Sequence, residues 1–256
     1  MRMVLAEIQT TVRLRSVQFA CLLVALAIGV QFRSAAILAS IQSGGAPNPI
    51  YYVSQFLLTL IVLGNCATVV FGGMLGAGDF QWKTWGLKLV HSSKEKTIGA
   101  KTLAMLTVSL AVSSLVCAAG YLASFGKGNT VFQHQDIYLS LCQLAATVYV
   151  LFFWGMLSMT ICYLTQSLSL GASIGILYGF LERMAYPFIP HRVKSLLPVW
   201  NQDGFLFPLF RNCENGGVIV RPDNYFNLLT SFAIFSLYFI AITLILFYLA
   251  LRREYE

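Results

Sequence analysis

Glu182 and Arg183 stand side by side, late in a long apolar run. Ionisable groups at membrane depth are costly to desolvate, so they are functional candidates by default. The plainer alternative places both at the membrane interface, paired with each other or with lipid headgroups. Arg33, near the end of another apolar run, is long enough to snorkel to the surface. A cross-span pair between Arg33 and Glu182 is the sharper possibility. His91, His134 and His191 lie far apart in different connectors, which supports neither a metal site nor a catalytic pair. An intramembrane enzyme would need His, Asp or Glu clustered at helical spacing inside the spans, and no such cluster is seen.

The six cysteines are Cys21, Cys66, Cys117, Cys142, Cys162 and Cys213. The first five lie in or at the ends of apolar runs without CxxC spacing, so they read as small core residues. Cys213 is alone in a polar stretch. No GxxxxGK[ST] phosphate loop occurs.

The elements that must position these residues are membrane spans. Of 256 residues, 57% are hydrophobic and 11% are charged, against roughly 25% charged in an ordinary soluble domain. The apolar residues come in blocks long enough to need a bilayer, about 20 residues each. Backbone polar groups in lipid must be satisfied internally, so the spans are expected to be helices. The short alternating segments of a membrane barrel are absent. The first apolar block is too long for the core of a cleavable signal peptide.

Six spans are expected, at about 17–41, 51–75, 102–125, 137–164, 167–189 and 225–251, within one transmembrane domain covering 1–256. Basic residues choose the orientation. The N-terminal tail holds three, the 79–101 connector five, the 163–168 connector none and the C-terminal tail two. The opposite side holds none in 42–50, Lys127 in the next loop and five in 182–224, with Arg33 inside the first span. Ten against six places both termini in the cytoplasm of a multi-pass protein of the cytoplasmic membrane. The net charge of +7 is then a topology signal, and no nucleic-acid partner is expected. The external 182–224 segment contains SLLPVW and FLFPLF, apolar patches too short to span. They read as interfacial or re-entrant helices. Gly72 and Gly76, flanked by Gly64, Gly73 and Gly78, form a close-packing face in the second span, used within the subunit or as a dimer seam.

The connector GDFQWKTWGLKLVHSSKEKTIGAK is the most polar stretch in the first two-thirds of the chain. On a helical wheel Gln81, Thr84, Lys88, His91 and Ser92 share one face. Trp82, Trp85, Leu89 and Val90 share the other, with Lys83 at the boundary. This describes an amphipathic helix over 79–92, anchored by Trp82 and Trp85 at headgroup depth. Ser92 and Glu95 have the spacing of a capping box that starts the third span.

This connector resembles the signature of type-2 ATP-binding-cassette (ABC) exporter permeases. In many of these it reads Glu, three residues, Gly-Thr, a Leu-rich turn, Ser-Arg, and a Lys opening the third span. Here it reads Asp79, Lys83-Thr84, Leu87 and Leu89, Ser93-Lys94, and Lys101. Lys83 departs from the Gly, which alters the local turn. SLGASIGILYGFLERM is similar to the fifth span of bacitracin- and lantibiotic-resistance-type permeases, a Gly-rich helix ending in a Glu, here Glu182. Leu197 and Pro198 resemble the external Leu-Pro that follows it.

The resemblance implies a half-size permease subunit, not itself an enzyme, with no cofactor of its own. ATP and Mg would be held by a separate ABC ATPase subunit, and a second permease copy or a homologous permease would complete the membrane unit. Asp79, Lys83, Thr84, Lys88, His91 and Lys94 would couple to the ATPase. The other classes considered are a secondary transporter, which should show midplane charges and internal repeats, and a membrane scaffold without transport activity.

Overall fold

The computed structural model describes residues 2–12, 49–81, 93–126, 133–210 and 228–252, with isolated helical positions at 18, 22, 26 and 29. The described residues are helical, with no strand among them. In chain order the helices are α1 (Arg2–Val12), α2 (Pro49–Gln81), α3 (Lys94–Gly126), α4 (His134–Thr165), α5 (Leu168–Ala185), a 3-10 turn (Tyr186–Phe188), α6 (His191–Lys194), α7 (Pro198–Leu209) and α8 (Leu228–Arg252).

Four of them are long and apolar enough to cross a membrane: Ile50–Gly78, Lys94–Phe125, His134–Thr165 and Leu228–Arg252. This is a membrane protein by the length and composition of its helices. The expected first span lies outside the described residues, apart from the isolated positions Gln18, Leu22, Leu26 and Gly29. The expected fifth corresponds to α5, which is 18 residues long and carries Glu182 and Arg183 near its end.

Of the four long helices, α2, α4 and α8 run in one direction and α3 in the other, as cross-contacts at both ends require. At one end, Ser54 near the start of α2 donates to Gln143 near the start of α4 at 3.0 Å. There Tyr121, near the end of α3, meets Ser140 of α4. At the other end, Lys101 near the start of α3 donates to the Leu75 carbonyl near the end of α2. The Lys94 Nζ reaches the Leu251 carbonyl at the end of α8 at 3.4 Å.

Two clusters of buried apolar side chains follow this division. One joins Val53, Leu57, Phe153, Trp154, Phe205 and Phe235 at the end where α7 lies. The other joins Phe71, Ile98, Met105, Met159, Tyr163 and Leu246, with Val4 and Ile8 of α1 laid against it.

Two glycines explain why α2 and α4 lie so close. A Cβ at Gly72 would stand 2.2 Å from the Gly155 carbonyl oxygen, and one at Gly76 2.8 Å from the Met159 carbonyl oxygen. The small face of the second span is therefore filled from within the chain, backbone against backbone.

The described start of the third span is at Ser93. The Ser93 carbonyl accepts the Thr97 N–H at 3.1 Å, and the Ser93 hydroxyl accepts the Lys96 N–H at 3.4 Å. Ser93 therefore caps α3. Ser92, the residue expected to open the capping box, lies outside the described residues.

Between α4 and α5 the chain reverses at Gln166, whose φ of 54° is left-handed. Ser167 then caps α5 by accepting the Leu170 N–H. Gly171 lets α5 return directly against α4, since a Cβ there would meet the Cys162 sulfur at 2.0 Å.

Candidate functional site

The site forms where α5 ends and α7 begins. α7 opens with Leu197 at its cap and Pro198 in the first turn. Leucine has no oxygen to accept the free N–H groups of that turn, and such groups need partners when buried. Glu182 supplies the acceptor from α5: its Oε1 takes the Trp200 N–H at 2.9 Å and faces the Tyr186 hydroxyl at 3.5 Å. A carboxylate at a helix N-terminus also meets the positive end of the helix dipole. Glu182 is 94% buried, being 6% exposed, so the bond is formed away from solvent.

Arg183, the next residue, turns to the body of α7. Its Nε donates to Asp203 Oδ2 at 3.1 Å and its Nη2 to Asp203 Oδ1 at 2.8 Å. This two-pronged geometry is the strongest form of a carboxylate–guanidinium contact. Asp203 is 1% exposed along its side chain and Arg183 23%. Adjacent residues of one helix thus hold the next helix at two points, one at its N-terminus and one at its middle.

The rest of α7 is buried on every side, from Pro198 to Leu206. Its polar run Asn201-Gln202-Asp203 is satisfied in part: Asn201 Oδ1 and Gln202 Nε2 are buried without a hydrogen-bond partner. The Asn201 amide donates to the Ser195 and Leu197 carbonyls at 2.9 and 2.8 Å. Gln202 Oε1 accepts the Trp154 indole N–H at 2.8 Å. The Leu209 carbonyl at the far end accepts from the Gln143 amide at 2.7 Å. On the α8 side Gly204 allows close approach, since a Cβ there would stand 2.6 Å from Ser231 Oγ. α7 is therefore inserted among α4, α5 and α8. A buried helix with buried polar side chains needs partners, and the bundle supplies them for the Asn201 amide N–H groups, the Gln202 oxygen and the Asp203 carboxylate.

A small open cleft adjoins this cluster. Asn65 and Cys66 of α2, Trp154 of α4 and Gly175, Gly179 and Arg183 of α5 line it.

Glu182 and Arg183 are thus brought into one site, but they do not pair with each other. Arg183 pairs with Asp203, and Glu182 pairs with the Trp200 backbone. Arg33 lies outside the described residues, as do Trp82, Lys83, Thr84, Trp85, Lys88 and His91. Asp79 belongs by its backbone to the last turn of α2, which runs to Gln81. The expected connector helix therefore overlaps the end of the second span. Lys94 opens α3, and Gly72 and Gly76 lie against α4.

Sequence reasoning missed Asp203, Gln202, Trp200 and Trp154. The available signal was the polar triplet NQD between two apolar patches too short to span. It also missed how deeply Lys101 is buried. That residue is 1% exposed, and its Nζ lies 5.5 Å from the centre of the Tyr163 ring. Among the described residues no group of His, Cys, Asp and Glu is arranged to hold a metal.

No protein-family model matches the chain, and no curated protein matches it.

Proposed function

We propose that the chain is the membrane-spanning permease subunit of an ATP-driven ABC exporter, moving its substrate by alternating access. In this reading six spans cross the cytoplasmic membrane with both termini inside. The 79–92 segment is a coupling helix presenting Thr84, Lys88 and His91 to a separate ATPase, which holds ATP and Mg. Two permease copies, or this chain and a homologous one, complete the membrane unit.

The observation that carries the reading is the difference between the two ends of the bundle. The polar connector joins α2 to α3 at one end, where Lys94, Lys96 and Arg252 also lie. At the opposite end α7 is folded back into the bundle and held by Glu182 and Arg183. An energy-input end and a closed far end are what alternating access needs. Native mass spectrometry of the gently solubilised complex tests this. A 2:2 assembly with an ATPase is expected, and a stable monomer that never co-purifies an ATPase sinks the proposal. Lys88→Glu should uncouple substrate-stimulated ATP hydrolysis while the spans stay folded, because wrong-sign charges at a contact can cost several kcal/mol.

One observation favours a second reading, an ion-coupled secondary transporter. Glu182, Arg183 and Asp203 form a buried ionisable cluster of the kind that marks ion paths in carriers. Transport that persists in vesicles without ATP but collapses with the proton gradient would select that reading.

A further inference from the structure

We propose that the segment from Met184 to Leu196 is a binding surface for anionic phospholipid, with Arg192 and Lys194 holding the headgroup. The segment joins α5 to α7 and carries two kinds of surface together. Several of its apolar side chains are turned outward: Met184 is 74% exposed, Phe188 87% and Leu196 60%. Interleaved with them are His191 and Arg192, both exposed, and Lys194. No acidic residue occurs between Tyr186 and Leu197. Among the described residues, the carboxylates of the flanking helices α5 and α7 are buried and engaged, Glu182 by the Trp200 N–H and Asp203 by Arg183.

The shelf is fixed before any ligand arrives. The Tyr238 hydroxyl of α8 donates to the Leu196 carbonyl at 2.6 Å, and the Ser195 hydroxyl donates to the Arg192 carbonyl at 2.8 Å. The buried Trp200 indole is a platform beneath Lys194. Lys194 Nζ lies 5.6 Å from its ring centre, and the His191 ring meets it edge-on at 6.2 Å.

A free phosphate ion would satisfy the cations and leave Phe188, Met184 and Leu196 bare. A neutral lipid would cover those side chains without answering the excess positive charge. An anionic phospholipid matches both, with acyl chains on the apolar residues and its phosphate between Arg192 and Lys194.

The test uses the full chain, reconstituted in phosphatidylcholine with and without phosphatidylglycerol, and measures which lipid it retains through delipidation by native mass spectrometry. Preferential retention of phosphatidylglycerol is expected, weakening as ionic strength rises. The Arg192→Gln/Lys194→Gln variant should lose that preference by roughly tenfold or more, at about 1 kcal/mol for each basic residue near the surface. Lys96→Gln, an exposed lysine at the opposite end of the bundle, should leave it unchanged. Equal retention of both lipids by the unsubstituted chain overturns the proposal, as does a preference that survives the double substitution or high salt. A loss caused equally by Lys96→Gln overturns it too, since the effect would then be one of net charge. If inorganic phosphate in pure phosphatidylcholine raises the thermal midpoint as much as phosphatidylglycerol does, the site is a phosphate-ion site and the lipid assignment fails.

Discussion

Arg183 and Asp203, twenty residues apart, share two hydrogen bonds of 3.1 and 2.8 Å, and the carboxylate is almost wholly out of solvent. The contact fastens α7 to α5 at mid-helix. Removing one partner leaves a buried charge without a counter-ion, at a cost of about 3–5 kcal/mol, whereas an apolar pair of similar volume can be neutral. Arg183→Met alone should therefore lower the thermal midpoint strongly in fluorescence-detected size exclusion. Arg183→Met with Asp203→Leu should recover most of the loss. Additive losses in the double variant would show that the two side chains do not act as a pair.

Glu182 makes a different bond, and its variants should rank differently. Glu182→Gln keeps an oxygen for the Trp200 N–H and loses only the charge at the helix terminus, worth about 0.3–1 kcal/mol and up to ~2 when partly buried. Glu182→Ala leaves that N–H buried and unsatisfied, at about 1–3 kcal/mol. The expected order of thermal stability is unsubstituted chain, then Gln, then Ala. Gln falling as low as Ala would mean that charge, rather than the acceptor, holds α7.

Glycines in the bundle should separate sharply under substitution by alanine. Gly72→Ala sets a Cβ 2.2 Å from the Gly155 carbonyl oxygen. Backbone cannot yield as a flexible side chain does, and overpacking of this kind costs about 1–3 kcal/mol. Gly99→Ala meets nothing within 4 Å and should gain up to ~1 kcal/mol from helix propensity. Stability curves for the two variants on the same side of the parent would contradict the packing described.

The Trp154–Gln202 bond gives a fourth expectation. Trp154→Phe removes the indole N–H and leaves a fully buried amide oxygen with one fewer donor. The loss should be about 1–3 kcal/mol. Combining it with Gln202→Leu should restore part of it, as a double-mutant cycle of melting temperatures would record.

The helical membrane class was legible in the sequence because twenty-residue apolar blocks have few other uses. α2, α3, α4 and α8 fall on four of the expected spans, with ends that extend past the apolar core into Lys94, His134 and Arg252. Those extensions were not legible, because a helix continues into polar sequence wherever its backbone bonds remain satisfied. Glu182 and Arg183 stood out as charges in an apolar setting. Their partners did not, since Asp203 lies in a stretch whose brevity suggested a surface location. Only tertiary insertion makes that stretch a core element. Whether Ser92 or Ser93 caps α3 could not be decided from residue type.

At the seam between α2 and α4, main chain meets main chain at Gly72 and Gly155, with no side chain between to act as a bearing. Sliding or twisting one of these helices on the other would drive peptide groups into each other within a fraction of an ångström. The pair therefore behaves as a single strut. Any shape change the protein undergoes must be taken up around the strut, by helices such as α8, whose apolar surface is largely outward-facing.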